Sequence, residues 1–359
     1  MRKRVVFPLT GSLVLLLVVV LGPLFPLPAK AATVITDPLP TPNAHPFGIV
    51  EGPDSQTLWF TEEMGNKIGS VPNSDVGTPA EYPIPTANAF PQFITIGSDN
   101  NLWFTETHAG QIGQFVISTK TFHEFAIPSL HGILFEPGGI ASGPDGNLWF
   151  TLSGLDSHGG LIGAIGRMTT SGTVTIFLVG LLGLLSHPQQ IAVGPDGNLW
   201  FTDAGLNKLG RITPTGTLTL FSVPTANAGL QGIVGGPAGF IIFTEFHANK
   251  IGLYVLSTGQ LLDVADPTGM THPFAVVALP VSATADTLAV SFQGEDGIGL
   301  LNTDQEVAED GGVGGGVNNL NVVKSDTVSD IVRNRNHDLA FPDELSSTID
   351  LARSVAASL

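Results

Sequence analysis

A single sequence motif recurs in near copies along the chain, and this repetition indicates the fold. Its clearest copy is PQQIAVGPDGNLWFTDAGLNKLGRI, at residues 188–212. The recurring parts are Pro-x-x-Ile, a Gly-Pro-Asp-Gly turn, Leu-Trp-Phe-Thr-Glu/Asp and Asn-Lys-Ile/Leu-Gly. Counted at the Trp position, copies stand 42 to 51 residues apart, at Trp59, Trp103, Trp149, Trp200, Ile242, Ala289 and Ala340. Seven copies of this length are typical of propeller blades.

Each copy contains four segments that alternate in polarity as β-strands do, and we call them strands a, b, c and d. Pro-x-x-Ile lies in strand a, Leu-Trp-Phe-Thr in strand b and Lys-Ile-Gly in strand c. An Asp-Gly pair, such as Asp145-Gly146, predicts a hairpin between a and b, because glycine accepts the positive φ of a tight turn. The predicted fold class is therefore all-β, with four-stranded antiparallel blades.

The two ends of the chain share the seventh copy. Residues 338–343 align without gaps to residues 101–106, but the chain ends before a strand d. The missing strand lies at the N-terminus, where TDPLPT at 36–41 matches EYPIPT at 81–86. We predict a seven-bladed β-propeller whose ring is closed by the N-terminal strand, which protects two sheet edges. The alternative is an open solenoid, and the N-terminal half-repeat argues against it.

The first residues have the pattern of an export signal. Arg2, Lys3 and Arg4 precede an apolar run, and Ala29-Lys30-Ala31 is a small-x-small cleavage motif. We predict a signal peptide at residues 1–31 and a propeller domain at residues 32–359, secreted or otherwise extracytoplasmic. The alternative is an uncleaved anchor. After cleavage we expect no membrane association.

The composition limits the classes of binding partner that we expect for the protein. The chain has 31 Asp and Glu against 14 Lys and Arg, a net charge of −17, and no cysteine. This acidity disfavours nucleic acid as a partner. Without disulfides, packing and ring closure must stabilise an exported chain. We expect a monomer that binds a small molecule or a peptide-like ligand.

The histidines concentrate on one predicted face. Strands alternate in direction, so the d–a and b–c loops share a face, and we call it the d–a/b–c face. Seven of the nine histidines fall in its loops: His45, His131, His187 and His272 in d–a loops, and His108, His158 and His247 in b–c loops. This distribution favours a ligand- or metal-binding surface. The alternative is that loops are simply where polar residues go.

Carboxylates crowd the same face. The Glu of the repeat recurs as Glu62, Glu106, Asp203, Glu245 and Asp343, so we assign it a structural role, such as accepting backbone N–H groups of the b–c turn. Glu63 and Glu344 follow this position in copies one and seven only. We predict that His45, Glu63, His272 and Glu344 form the site, since mixed histidine and carboxylate ligands suit a divalent cation such as Mg²⁺ or Ca²⁺.

One loop of the same face is apolar where the others are polar. It is IFLVGLLGLL at residues 176–185. We interpret it as a ligand or partner contact, or as packing between blades.

The repeat resembles that of the virginiamycin B lyase (streptogramin lyase) family over essentially the whole mature chain. The resemblance implies a seven-bladed propeller that uses Mg²⁺ to open a cyclic depsipeptide by elimination. The family's catalytic histidines directly follow the Pro of strand a, and its catalytic Glu lies two residues past Phe-Thr. Glu63 and Glu344 match the Glu position. The histidine position is filled by Phe47, Gln92, Gly138, Gln189, Gln231, Phe274 and Ser329.

Because that histidine is missing, we expect a ligand- or partner-binding protein. The alternative is a divalent-metal-dependent lyase or lactone/ester-opening enzyme. In that case Glu63 or Glu344 would lie near the cation, and His45 or His272 would act as the base.

Overall fold

The computed structural model describes residues 33–73, 78–180, 184–236, 239–265, 271–280, 286–293, 297–302, 319–324, 332–333, 339–343 and 348–353. All of them belong to one compact unit, Ala31–Leu359. The predicted signal peptide, residues 1–31, lies outside the described residues. Within the described part of the chain, no helix combines the length and apolar character needed to cross a membrane.

The described strands form seven four-stranded antiparallel sheets, which confirms the all-β prediction. The first sheet contains β2 (Pro46–Glu51), β3 (Thr57–Glu62), β4 (Lys67–Pro72) and β5 (Ala80–Pro83). The second contains β6 (Pro91–Ile96), β7 (Leu102–Glu106), β8 (Gln111–Val116) and β9 (Thr121–Ala126). The third contains β10 (Phe135–Ser142), β11 (Leu148–Leu155), β12 (Leu161–Met168) and β13 (Val174–Leu178).

The remaining sheets repeat this order along the chain. The fourth contains β14 (Pro188–Val193), β15 (Leu199–Asp203), β16 (Lys208–Ile212) and β17 (Leu218–Ser222). The fifth contains β18 (Leu230–Gly235), β19 (Phe240–Glu245), β20 (Lys250–Val255) and β21 (Gln260–Ala265). The sixth contains β22 (Pro273–Pro280), β23 (Asp286–Phe292), β24 (Gly297–Asn302) and β25 (Asn319–Lys324).

The last sheet combines both ends of the chain. It contains β26 (Val332–Arg333), β27 (Leu339–Asp343), β28 (Thr348–Arg353) and β1 (Thr33–Pro38). β1 pairs antiparallel with β28, from Thr33 opposite Arg353 to Pro38 opposite Thr348. The strand begins three residues before the TDPLPT match used to predict it. It ends at Pro38, and Pro40 beyond it has no N–H to continue a ladder.

Strand a of the first six sheets carries a β-bulge at the Pro-x-x-Ile position. In the first sheet Pro46 pairs with Glu62 and Ile49 with Phe60, so two residues lie opposite Thr61. The Thr61 hydroxyl fills this gap: it accepts the Gly48 N–H and donates to the Gln92 carbonyl of the next sheet. The repeat's threonine therefore joins neighbouring sheets.

The core of each sheet is built from the repeat's aromatic residues. Trp103, Trp149 and Trp200 are fully buried. Each indole N–H donates at 3.0 Å to the aspartate of the preceding turn, at Asp99, Asp145 and Asp196. The strand-c glycine faces the Phe ring of strand b. A Cβ at Gly210 would lie 2.1 Å from the Phe201 ring, so only glycine fits there.

Candidate functional site

The strand bounds place the histidines as predicted. His45, His131, His187 and His272 lie in d–a connections, immediately or shortly before β2, β10, β14 and β22. His108, His158 and His247 lie in b–c connections, and His123 lies in β9. His337 is outside the described residues. The d–a/b–c face therefore carries seven of the histidines.

The bulges turn one strand-a residue of each of the first six copies away from the regular pleat. In the first and sixth copies that residue is a phenylalanine, Phe47 or Phe274, and their ring centroids lie 6.5 Å apart although the residues belong to different sheets. Phe93 packs edge-on against Phe47 at 5.2 Å. Phe246, at the end of strand b in the fifth copy, contacts Phe274 at 6.3 Å.

The His272 ring extends this group, 4.7 Å from the Phe246 ring. We call Phe47, Phe93, Phe246, His272 and Phe274 the aromatic cluster. The four phenylalanines are half-buried and His272 is exposed. Aromatic pairs at these distances stabilise one another and leave ring surface for a ligand. Sequence reasoning missed the cluster, although the phenylalanines at the histidine position were a signal.

Two of the four predicted site residues are neighbours in the first sheet. The Glu63 N–H donates to the His45 carbonyl at 2.9 Å. The Glu63 carboxylate accepts from the Gln92 amide at 2.8 Å, and the Thr107 hydroxyl donates to the other end of that amide at 3.0 Å. Glu63 is therefore engaged in a polar chain that runs across the face.

His272 lies on a different sheet from His45 and Glu63. Its backbone N–H donates to the Asn249 side chain at 2.9 Å, and its ring Nδ1 lies 3.1 Å from the Thr271 hydroxyl. Glu344 is outside the described residues. Among the residues described, no three His, Asp or Glu side chains are grouped so as to hold a metal ion. The described donors alone do not fit a complete cation site.

The repeat carboxylates whose side chains the structure describes divide into two kinds, and the Asp343 side chain is not among them. Asp203 fits the predicted structural role: it accepts the Leu206 N–H of the b–c turn at 2.8 Å and the His187 N–H at 3.0 Å. Glu62, Glu106 and Glu245 do not, because their buried carboxylate oxygens accept none of the N–H groups of the b–c turn.

The predicted hydrogen bonds to the turn are absent at these three glutamates because backbone carbonyls of the d–a loops accept the turn N–H groups. In the first copy, Met64 and Gly65 donate to the Ala44 carbonyl of the d–a loop. Burial, with a strand-d carboxylate close by, raises the pKa of each glutamate. The pKa reaches about 8 at Glu62, beside Glu81, and about 8 at Glu106, beside Glu124. It reaches about 7 at Glu245, beside Asp263.

The seven four-stranded antiparallel sheets and the bulged inner strands define a β-propeller. The WD40 propeller domain of Doa1 superposes with a TM-score of 0.66 over 91% of this chain and 99% of its own, at 9% identity, which supports the fold alone.

A family model and a relative of higher sequence identity show to which family the chain belongs. The model of the virginiamycin B lyase family matches residues 29–163 and 116–310, and the chain belongs to that family. A virginiamycin B lyase of Nocardia farcinica (strain IFM 10152) is 29% identical over 235 residues, 66% of this chain and 75% of its own.

Two solved structures agree with this assignment. A streptogramin B lyase structure is 28% identical, with a TM-score of 0.73 over 89% of this chain and 97% of its own. A catalytically inactive histidine-to-alanine variant of the Staphylococcus aureus virginiamycin B lyase, solved with quinupristin, is also 28% identical. Its TM-score is 0.73, over 89% of this chain and 98% of its own.

Proposed function

We propose that the seven sheets are the blades of one closed propeller and that the mature chain is secreted. The pairing of β1 with β28 supports closure. So do the contacts between strands a, which run from β2 to β6, β10, β14, β18, β22 and β26, and from β26 to β2. The basic, apolar and small-x-small pattern of residues 1–31 supports export.

We propose that this propeller binds a peptide-like ligand or other small molecule on its d–a/b–c face without the lyase chemistry of its relatives. One observation carries the proposal. Two positions that the family resemblance assigns to catalytic histidines hold Phe47 and Phe274, whose rings lie 6.5 Å apart. Phenylalanine cannot accept or donate a proton, so general acid–base catalysis is unavailable there.

The aromatic cluster provides a ligand-binding surface at the positions where the family's catalytic histidines are absent. Its rings form a half-buried apolar surface, and the Glu63–Gln92–Thr107 chain beside it supplies polar groups. A mainly apolar wall with a few oriented polar groups is the common form of a small-molecule site. Quinupristin is the probe of choice, because a related lyase was solved with it.

The test is calorimetry of the mature chain with quinupristin. We expect saturable binding that Phe274→Ala and Phe47→Ala each weaken at least tenfold. Phe90→Ala is the matched control: that ring is also half-buried on the face but stacks on His108 outside the cluster, at 3.9 Å. Absence of saturable binding, or equal losses in all three variants, contradicts the proposal.

A second candidate function rests on the family assignment. It is a lyase, or a lactone- or ester-opening enzyme, that uses Mg²⁺ or Ca²⁺ held by Glu63 and Glu344, with His45 or His272 as base. The matching Glu63 position and the 28–29% identity to lyases support it. Titration with Mg²⁺ and with Ca²⁺ tests it. Binding that Glu63→Ala abolishes and Glu136→Gln preserves favours this candidate, and no saturable binding of either ion rules it out.

A further inference from the structure

The third sheet carries a cleft that shares no residue with the aromatic cluster. It is about 460 Å³ and is lined by Gly132, Leu134, Glu136, Ser153, Gly154, Leu155, Leu161 and His187. We call it the leucine cleft. Its volume is in the range of small-molecule sites.

The cleft exists because the b–c hairpin of this copy is longer than its counterparts. β11 and β12 have eight residues each, against five in β15 and β16. The added residues pair Gly154 with Ile162 and Leu155 with Leu161. The hairpin tip is fixed by Asp156, whose carboxylate accepts the His158 and Gly160 N–H groups at 2.8 Å.

A second tight turn supports the opposite wall. Leu130 and Ile133 exchange backbone hydrogen bonds around His131 and Gly132, which both have positive φ, at 52° and 82°. Both walls are thus held by turns that restrict the backbone. The cleft is preformed rather than assembled from loose loops.

Three leucines of the lining are exposed to an unusual degree. The exposed fraction is 77% at Leu134, 59% at Leu155 and 38% at Leu161. Apolar side chains grouped on a surface mark an interaction site more often than isolated ones do. They provide an apolar wall without a protein partner inside the described structure.

The polar groups of the lining set the charge of the occupant. Glu136 is exposed, and none of the lining residues is Lys or Arg. The Gln189 amide nitrogen donates to the His187 carbonyl at 3.3 Å and lies 3.0 Å from the His187 Nδ1. The cleft combines the Glu136 carboxylate with the His187 imidazole, whose Nδ1 is in contact with Gln189.

We propose that the leucine cleft binds a small amphiphilic amine, with its apolar body against the three leucines and its ammonium group at Glu136. The apolar wall, the Glu136 carboxylate and the volume together select this class. An amphiphilic carboxylate would place its charge against Glu136 and is disfavoured.

Calorimetry of the mature chain with three matched probes tests the proposal. We expect octylammonium to bind saturably at one site per chain, and octan-1-ol and octanoate to bind at least tenfold more weakly. Glu136→Gln should remove the preference for the amine over the alcohol. Leu155→Ser and Leu161→Ser should weaken both probes, and Met64→Ser, an exposed apolar residue of another b–c turn, should change nothing.

Four outcomes overturn the proposal. The first is no saturable octylammonium binding. The second is octanoate binding as tight as that of the amine. The third is an amine affinity that Glu136→Gln leaves unchanged. The fourth is a concentration-dependent dimer that Leu155→Ser dissociates, which would assign the leucines to a second copy of the chain. Two separate leucine variants and the isosteric Glu136→Gln keep the test decisive if one variant misfolds.

Discussion

The buried glutamates of the repeat show how a single residue can couple stability to pH. Glu106 is fully buried, and its pKa is raised to about 8 from an ordinary 4.5. The folded state therefore favours the neutral carboxyl. Glu106 makes its full contribution to the free energy of unfolding below pH 4.5. Between pH 4.5 and pH 8 this contribution falls by about 1.4 kcal/mol per pH unit, because the unfolded chain can ionise there and the folded chain cannot.

Glu106→Gln keeps the shape of the neutral side chain and cannot ionise. We expect the variant to match the wild type near pH 5 and to be more stable than it at pH 9. Urea denaturation at pH 5, 7 and 9 measures this. Glu136→Gln, which replaces an exposed carboxylate, should follow the wild-type profile. Equal destabilisation of Glu106→Gln at every pH would contradict the assignment of a neutral Glu106.

The threonine of the repeat joins strands of neighbouring sheets through two hydrogen bonds of its hydroxyl group. Thr202 accepts the Gln190 N–H at 3.2 Å and donates to the Gln231 carbonyl of the next sheet at 2.5 Å. Thr244 does the same with the Gly232 N–H and the Phe274 carbonyl. The link also fixes the bulge that presents Phe274 to the aromatic cluster.

Thr202→Val removes both hydrogen bonds at nearly constant volume. We expect it to lower the free energy of unfolding by about 1–3 kcal/mol, because two half-buried backbone groups lose their partner. Thr202→Ser retains the hydroxyl and should recover most of the loss. Thr217→Val, at an exposed position, should have almost no effect. Chemical denaturation measures all three, and similar losses in Thr202→Val and Thr217→Val would contradict the role of the link.

The positions of the strands could be predicted from the sequence, whereas the side-chain contacts between sheets could not. Asp-Gly turns and the Trp-Phe positions located the strands, because both are local signals. The aromatic cluster was missed, because it depends on which strand-a residues meet across sheets. The prediction that Glu62 accepts the N–H groups of its turn failed for a similar reason. The Ala44 carbonyl of the preceding d–a loop accepts them instead, and this contact cannot be read from the repeat alone.

At the scale of the whole molecule, the N-terminal strand determines whether the last sheet has an exposed edge. β1 pairs with β28 along six residues. A chain that begins at Leu39 lacks this strand and leaves β28 as an open edge, which promotes aggregation. We expect a lower thermal midpoint than that of the chain beginning at Ala32, together with oligomers in size-exclusion chromatography. A monomer of unchanged thermal midpoint would contradict ring closure by β1.

We propose that this member of the virginiamycin B lyase family binds its ligand without lyase chemistry. Ring-opening elimination leaves the mass of quinupristin unchanged, whereas hydrolysis adds one water, so chromatography and mass spectrometry together distinguish the two reactions from binding. The decisive measurement is incubation of quinupristin with excess mature chain, with and without Mg²⁺. We predict that only intact quinupristin is recovered. Enzyme-dependent formation of a linear product would contradict it.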